Sequence, residues 1–285
     1  MMLPTDPTSG WSIPHHHLIA IVGYGWVGKS MLAIFPDAVV FDEPLGIGSR
    51  EEVNECEIAL ICVPTPSTST GECDTSIVAD VISWLDVQTI CIKSAVSPGT
   101  TERLAKQYHK QIVVSPEFIG EGPTWDGTIT DTWASEDSYS REELARRWPY
   151  VIAGGPITPA QIVLDAYEER LGDGVEYLHE EDTTTVELVK YMENVWLAMQ
   201  VTWANEFHEI AGALGADYEA ARDLWAYDPR VSAHHTDVLP ERGFGGKCLP
   251  KDLLGIIWAS RRAGYDPAFL QAIHYTNKRF RQMNQ

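Results

Sequence analysis

The stretch IVGYGWVGKSM, residues 21–31, constrains the fold more than any other part of the chain. A short apolar run enters a glycine-rich turn, and residues with helical spacing leave it. Read as G-x-G-x-x-G, the turn is Gly23, Gly25 and Gly28, the form that brings backbone close to a pyrophosphate at a helix N-terminus. Read as G-x-x-x-x-G-K-[ST], it is Gly23, Gly28, Lys29 and Ser30, a phosphate loop whose Lys and hydroxyl serve a nucleoside triphosphate and its Mg²⁺. The next strand separates the two readings. Asp42 ends it, nineteen residues after Gly23, at the distance where a dinucleotide-binding unit places an acid on the adenosine ribose. A triphosphatase usually carries its acid on a later strand. An acid at 42 rather than an Arg favours NAD over NADP. The kinase-like alternative requires Mg²⁺-dependent ATP turnover that depends on Lys29.

Apolar runs at 18–23, 38–42, 57–66, 89–96, 111–118, 150–155 and 175–178 read as strands, and 26–35, 76–85 and a segment opening at Thr100 or Thr101 read as helices. Strands alternating with helices predict an α/β class: a Rossmann-like, doubly wound, mostly parallel sheet. From about residue 180 the period changes to helical, which predicts an all-helical domain with a long central helix. That helix covers 183–215, opened by a Thr184 cap with Glu187 three residues on. Shorter helices follow at 218–226, 251–263 and 267–283. The expected organisation is a leader at 1–17, an NAD-binding domain at 18–179 and a helical catalytic and dimerisation domain at 180–285, with an irregular acidic insertion at 123–149.

Composition narrows the function classes. The net charge of −20 argues against nucleic acid and anionic membrane, both of which need gathered Lys and Arg. No apolar run reaches the roughly 18–20 residues that span a bilayer, and the opening residues have neither the basic nor the apolar part of a signal peptide. Cys56, Cys62, Cys73, Cys91 and Cys248 form no C-x-x-C pair, so a reducing cytoplasm is the expected setting. His15, His16 and His17 have no Cys or carboxylate spaced to join them, so no metal site is expected.

Three constellations carry chemistry. In ERGFGGKCLPKDLLG, 241–255, Cys248 follows a glycine-rich loop and is crowded by Lys247, Lys251 and Asp252 near a helix start, a setting that favours a nucleophilic thiolate. In ELVKYMEN, Lys190 and Asn194 are four residues apart and share a helix face. In VSPEFIGEG, Glu117 and Glu121 follow a strand, on the edge where α/β sheets place ligands.

Together with IAIVGYGWVGKS, ICVPTPSTSTGECDTSIV, IKSAVSPGTT and the DPR at 228–230, these stretches resemble the UDP-glucose/GDP-mannose dehydrogenase family, in family order over about residues 18–280. The resemblance implies a four-electron, NAD-dependent oxidation of a nucleotide sugar at C6, with UDP-glucose the default substrate. It makes Cys248 the residue that attacks the aldehyde and carries the thioester. Lys190 and Asn194 hold the oxyanion, Asp252 works with Lys190 on proton transfers, and Glu117 positions the hydrolytic water. On the same resemblance, Gly23, Gly25, Trp26, Val27, Gly28, Asp42, Val63, Pro64, Thr65, Ser94 and Glu121 serve the cofactor. Phe118, Arg230, Phe244 and Gly245 serve the substrate, Arg230 across a homodimer whose seam is the long helix.

Two departures stand out. Ala95 replaces the family's usual Thr after Ser94. The chain also stops after the helix AFLQAIHYTNKRFRQ, where the family continues into a C-terminal nucleotide-sugar-binding domain. A truncated or minimal form accounts for this, as does a separate chain that supplies the domain. The length also suits two-domain β-hydroxyacid dehydrogenases, which perform one oxidation and need no Cys248, and Ala95 leaves open a catalytically silent NAD-binding paralogue.

Overall fold

The computed structural model describes residues 17–119, 128–129, 139–140, 145–146 and 148–283. Its first half is built on β1 (Ile19–Val22), β2 (Val39–Phe41), β3 (Ile58–Ile61), β4 (Thr89–Ile92), β5 (Ile112–Val114), β8 (Tyr150–Gly154) and β9 (Glu176–Glu180). They form one sheet in the order β2-β1-β3-β4-β5-β8-β9. The first five run parallel, while β8 is antiparallel to β5 and parallel to β9. A separate hairpin pairs β6 (Thr128–Ile129) with β7 (Tyr139–Ser140).

Side chains alternate along these strands, and each set finds its own helical layer. Ile19, Ile21, Ile58, Leu60 and Val113 pack with Met31, Phe35, Val163 and Tyr167, from α1 (Trp26–Ile34) and its end and from α5 (Ile157–Leu171). Ala20, Val22, Ala59, Ile61, Ile90 and Ile92 pack with Val53, Val78, Ile82 and Leu104. Those come from α2 (Arg50–Asn54), α3 (Ser76–Trp84) and α4 (Thr100–Tyr108). The chain leaves β1 to β2 on one side and returns to β3 on the other. This reversal opens a crevice at the carboxyl ends of β1 and β3.

The second half hangs on α6 (Thr183–Leu214), with α7 (Tyr218–Trp225), α8 (Cys248–Arg262) and α9 (Ala268–Gln282) against it. Ala198, Phe244, Leu253, Ile257 and Ile273 make its main core. Ala204, Ala211 and Tyr218 make a smaller one.

Several expectations are revised. The run 57–66 is strand only to Ile61, because the chain then turns along the crevice through Pro64 and Pro66. Two helices absent from the sequence reading, α2 and α5, cover the sheet. In α5 the buried Ala160, Val163, Leu164 and Tyr167 follow i, i+3, i+4, i+7 spacing. Helix α8 begins at Cys248 rather than at 251, since Pro250 in its first turn needs no backbone donor. Asp182, not Thr184, caps α6, its carboxylate accepting from the Thr184 amide at 3.0 Å.

Glu187 is thereby free of the capping role and reaches across to α4. Its carboxylate accepts from the Gly99 amide at 2.5 Å, the Thr101 amide at 2.7 Å and the Thr101 hydroxyl at 2.6 Å. A carboxylate on otherwise unpaired helix donors is a favourable arrangement. Burial nevertheless pushes its pKa up to about 7, against the lowering effect of those bonds. Glu187, Lys190 and Asn194 lie at i, i+3, i+7, so the residue that fastens α6 to the sheet layer shares a helix face with the candidate catalytic pair.

Candidate active site

A cavity of about 920 Å³ fills the crevice between the sheet and the helical half. Its wall near β2 and α3 is apolar, made by Phe41, Ile77, Val81 and Trp84. Its opposite wall carries Lys190, Asn194, Cys248, Lys251, Asp252 and Glu117. The glycine turn and Asp42 lie along the same opening.

The turn fits a dinucleotide rather than a triphosphate. Gly23 has φ +100°, and a Cβ there would stand 2.8 Å from the Cys62 carbonyl. A Cβ on Gly28 would overlap the Gly23 carbonyl oxygen, so only glycine lets α1 pack so closely on its own turn. Asp42 holds the turn in shape: its Oδ2 accepts from the Tyr24 amide at 2.7 Å and its Oδ1 from the Leu45 amide at 3.0 Å. The residues of the phosphate-loop reading are placed otherwise. Ser30 is fully buried and its hydroxyl bonds back to the Trp26 carbonyl at 3.1 Å, and Lys29 stacks over the Tyr24 ring.

Four of the catalytic candidates come from two helices, and the fifth, Glu117, follows β5 and lines the same cavity. Cys248 opens α8 and Asp252 lies four residues on, so both share a face. The Asn194 amide of α6 donates to Asp252 Oδ2 at 2.5 Å. Lys251 Nζ meets Asp252 Oδ1 at 2.5 Å, and Asp252 is 1% exposed. The ion pair with Asp252 holds the Lys251 pKa above its ordinary value, although burial alone would lower it. Lys190 extends over the Phe118 ring and donates from Nζ to Glu193 Oε2 at 2.7 Å.

The glycine loop before Cys248 is held from both sides. Asn277 of α9 accepts from the Phe244 amide at 2.7 Å and donates to the Phe244 carbonyl at 3.0 Å. Arg242, with φ +53°, donates to Asn205 at 2.9 Å and to Glu209 at 2.5 Å.

Among the expected cofactor residues, Gly23, Gly25, Trp26, Val27, Asp42, Val63, Pro64, Thr65 and Ser94 line the cavity. Gly28 stands behind them, against the turn. The Ser94 hydroxyl is turned to the Val63 carbonyl at 2.7 Å, and the Thr65 hydroxyl to the Ala95 carbonyl at 2.8 Å. Glu121 and most of the expected acidic insertion lie outside the described residues. The substrate set fits less well. Phe244 is not on the cavity wall but packed between helices, because its backbone bonds to Asn277 turn the ring into the core. Gly245 faces the Arg281 guanidinium. Arg230 sits on the surface, its guanidinium 87% exposed and paired with Asp228 at 2.5 Å, so within one chain it is not at the site. Phe118 is buried beneath Lys190 rather than lining the opening.

Sequence reasoning missed Lys93 and Glu193. Lys93, 4% exposed at the end of β4, lines the cavity and donates to the Ser115 hydroxyl at 3.1 Å. Burial pushes its pKa down. A lysine inside the apolar run ICIKSAV was the available signal, since lysine is rarely buried without purpose. Glu193 was readable as the i+3 neighbour of Lys190. His17 pairs with Glu57 at 3.0 Å, and no cluster of metal-ligating side chains exists among the described residues. Nor is any described helix long and apolar enough to cross a membrane.

A mostly parallel sheet with a glycine turn at its switch point and an acid ending the second strand defines a dinucleotide-binding class. The chain belongs to the UDP-glucose/GDP-mannose dehydrogenase family. Its NAD binding domain model matches residues 45–133 and its central domain model residues 184–279, and the cofactor of this fold is NAD. The chain is 26% identical over 243 residues to a GDP-mannose 6-dehydrogenase of Pseudomonas syringae pv. tomato, covering 80% of this chain and 52% of the relative. It is 27% identical over 247 residues to a putative UDP-glucose 6-dehydrogenase of Bacillus subtilis, with the same coverages. It thus spans about half the length of the curated relatives it matches. A UDP-glucose dehydrogenase structure from Pyrobaculum islandicum shares the fold with a TM-score of 0.74 and 22% identity, over 94% of this chain and 70% of that one.

Proposed function

We propose that this chain carries the NAD-binding and catalytic parts of a nucleotide-sugar 6-dehydrogenase, with UDP-glucose as its first candidate substrate. The supporting observation is the shared cavity: Cys248, Lys190, Asn194 and Asp252 line the same space as the glycine turn.

Bound NAD supplies the hydride acceptor for each of two oxidations, and the turn at 23–28 with Asp42 would hold it. The chain's own residues do the rest. The Cys248 thiolate adds to the C6 aldehyde, forming a carbon–sulfur bond and a tetrahedral oxyanion. Its position at the first turn of α8, with Lys247 and Lys251 beside it, favours the thiolate. Lys190 and Asn194 face the oxyanion by charge and hydrogen bond. Asp252, tied to Asn194 and Lys251, keeps both donors oriented and takes up protons. Once the adduct is oxidised to a thioester, Glu117 positions the water whose oxygen becomes part of the product carboxylate, and the thiolate leaves. The protein pairs with a second copy through α6, which brings Arg230 of one copy towards the nucleotide sugar of the other.

The test is NADH formed per nucleotide sugar consumed, for wild type and Cys248→Ala. Two NADH per sugar are expected, with the variant halted before the uronate. A single NADH, unaffected in the variant, would identify a one-step dehydrogenase instead.

A further inference from the structure

Lys190 does not line the cavity as an isolated cation. Its Nζ donates to Glu193 Oε2 at 2.7 Å, one turn along α6, and the side chains are only 10% and 25% exposed. The Phe118 ring lies beneath the ammonium, 5.1 Å away at its centre, and packs on Tyr150 at 5.2 Å. Cys248, Asp252 and Glu117 are acidic groups that line the same cavity as Lys190. Lys251 already occupies Asp252. A flexible four-carbon ammonium beside several anions would settle on the nearest one. Glu193 removes that freedom.

We propose that Glu193 is a positioning residue of this site: its carboxylate and the Phe118 ring hold the Lys190 ammonium ready for the oxyanion and keep it from collapsing onto the resting thiolate. This rests on the reading of Lys190 given above. Glu193 is not on the cavity wall, so it acts through Lys190 and not on substrate. The charged and titratable groups facing it are Lys190 on its own helix, Asp252 on α8 and Tyr150 at the start of β8. Burial and Asp252 push the Glu193 pKa up, and Lys190 pulls it down less strongly. Protonation of Glu193 on acidification therefore releases the ammonium.

Two variants and two readouts test this on the intact chain. Glu193→Gln keeps the shape and removes the charge, and Glu193→Asp keeps the charge. The first readout needs no turnover: lysines are ¹³C-dimethylated, and the Lys190 resonance, assigned with Lys190→Arg, is followed against pH. In the wild type it should show an inflection above the ordinary carboxylate range. That inflection should vanish in Glu193→Gln and persist in Glu193→Asp. The second is the pH profile of kcat with a nucleotide sugar and NAD. Glu193→Gln should lower kcat about tenfold at neutral pH, leave the KM for NAD unchanged and lose the acid limb, with part of the rate restored in Glu193→Asp. A Lys190 resonance that titrates alike in all three proteins overturns the proposal, as does an altered resonance with unaltered kcat and pH profile. Failure of the wild type to oxidise any nucleotide sugar would instead strike the functional reading, and the resonance would still decide whether Glu193 holds Lys190.

Discussion

In the sheet half, β1, β3 and β4 bury every side chain and find helices on both faces. In the helical half, α6 buries one stripe and leaves another open: Met192, Trp196 and Leu214 are 64%, 57% and 78% exposed, with Leu188, Phe207 and Ile210 along the same face. The difference follows from geometry. A parallel sheet must be covered on both sides because its crossovers put helices there, whereas a helix flanked by α7, α8 and α9 is covered only where they touch it. The central strands of the first half are thus covered within that half, and the second half keeps an apolar face that suits the proposed pairing through α6.

The comparison breaks most visibly in the sheet core. Leu60→Ala, at a 1% exposed position, should cost about 2–5 kcal/mol, read as a lower urea midpoint. A loss below about 0.5 kcal/mol would mean that the sheet core is looser than it looks.

The junction gives the next effect. Glu187 titrates near 7 when folded, against about 4.3 in an unfolded chain. The folded state holds a proton that the unfolded state has released, so the contribution is fully present below about pH 4.3, fades as pH rises and is lost above about 7. Wild type should lose up to roughly 4 kcal/mol across that window relative to Glu187→Gln. Parallel stability–pH curves for the two proteins would show that folding does not raise the Glu187 pKa.

The smallest effect on stability belongs to the open face. Replacing both Met192 and Trp196 by Ser should change monomer stability by less than about 0.5 kcal/mol per site, yet shift sedimentation from two copies to one. A wild type that sediments as a single copy at tens of micromolar would remove the explanation offered for that face.

The sheet was legible because strands buried on both faces read as short continuous apolar runs, and the long helix because a period of 3.6 writes itself directly into sequence. The glycine turn and Asp42 were legible because their spacing is set by one βαβ unit. Helix α5 carries its apolar spacing in the sequence as well, at Ala160, Val163, Leu164 and Tyr167. The true start of α8 was obscured by Pro250, and the cap of α6 by a Thr–Glu spacing that Asp182 pre-empts. The role of Glu187 could not be read locally at all, because its partners lie some 86–88 residues away in sequence. The same holds for the inward turn of Phe244, which is decided by a side chain on α9.

That amide on Asn277 behaves like a one-residue β-strand. It satisfies both backbone groups of Phe244 at once, so the two bonds form and break as a pair. The turn of chain that delivers Cys248 is consequently latched to Asn277 of α9, fifteen residues beyond Arg262, where α8 ends. Drawing α9 aside breaks both bonds to Phe244 and so slackens the segment that leads into the sulfur.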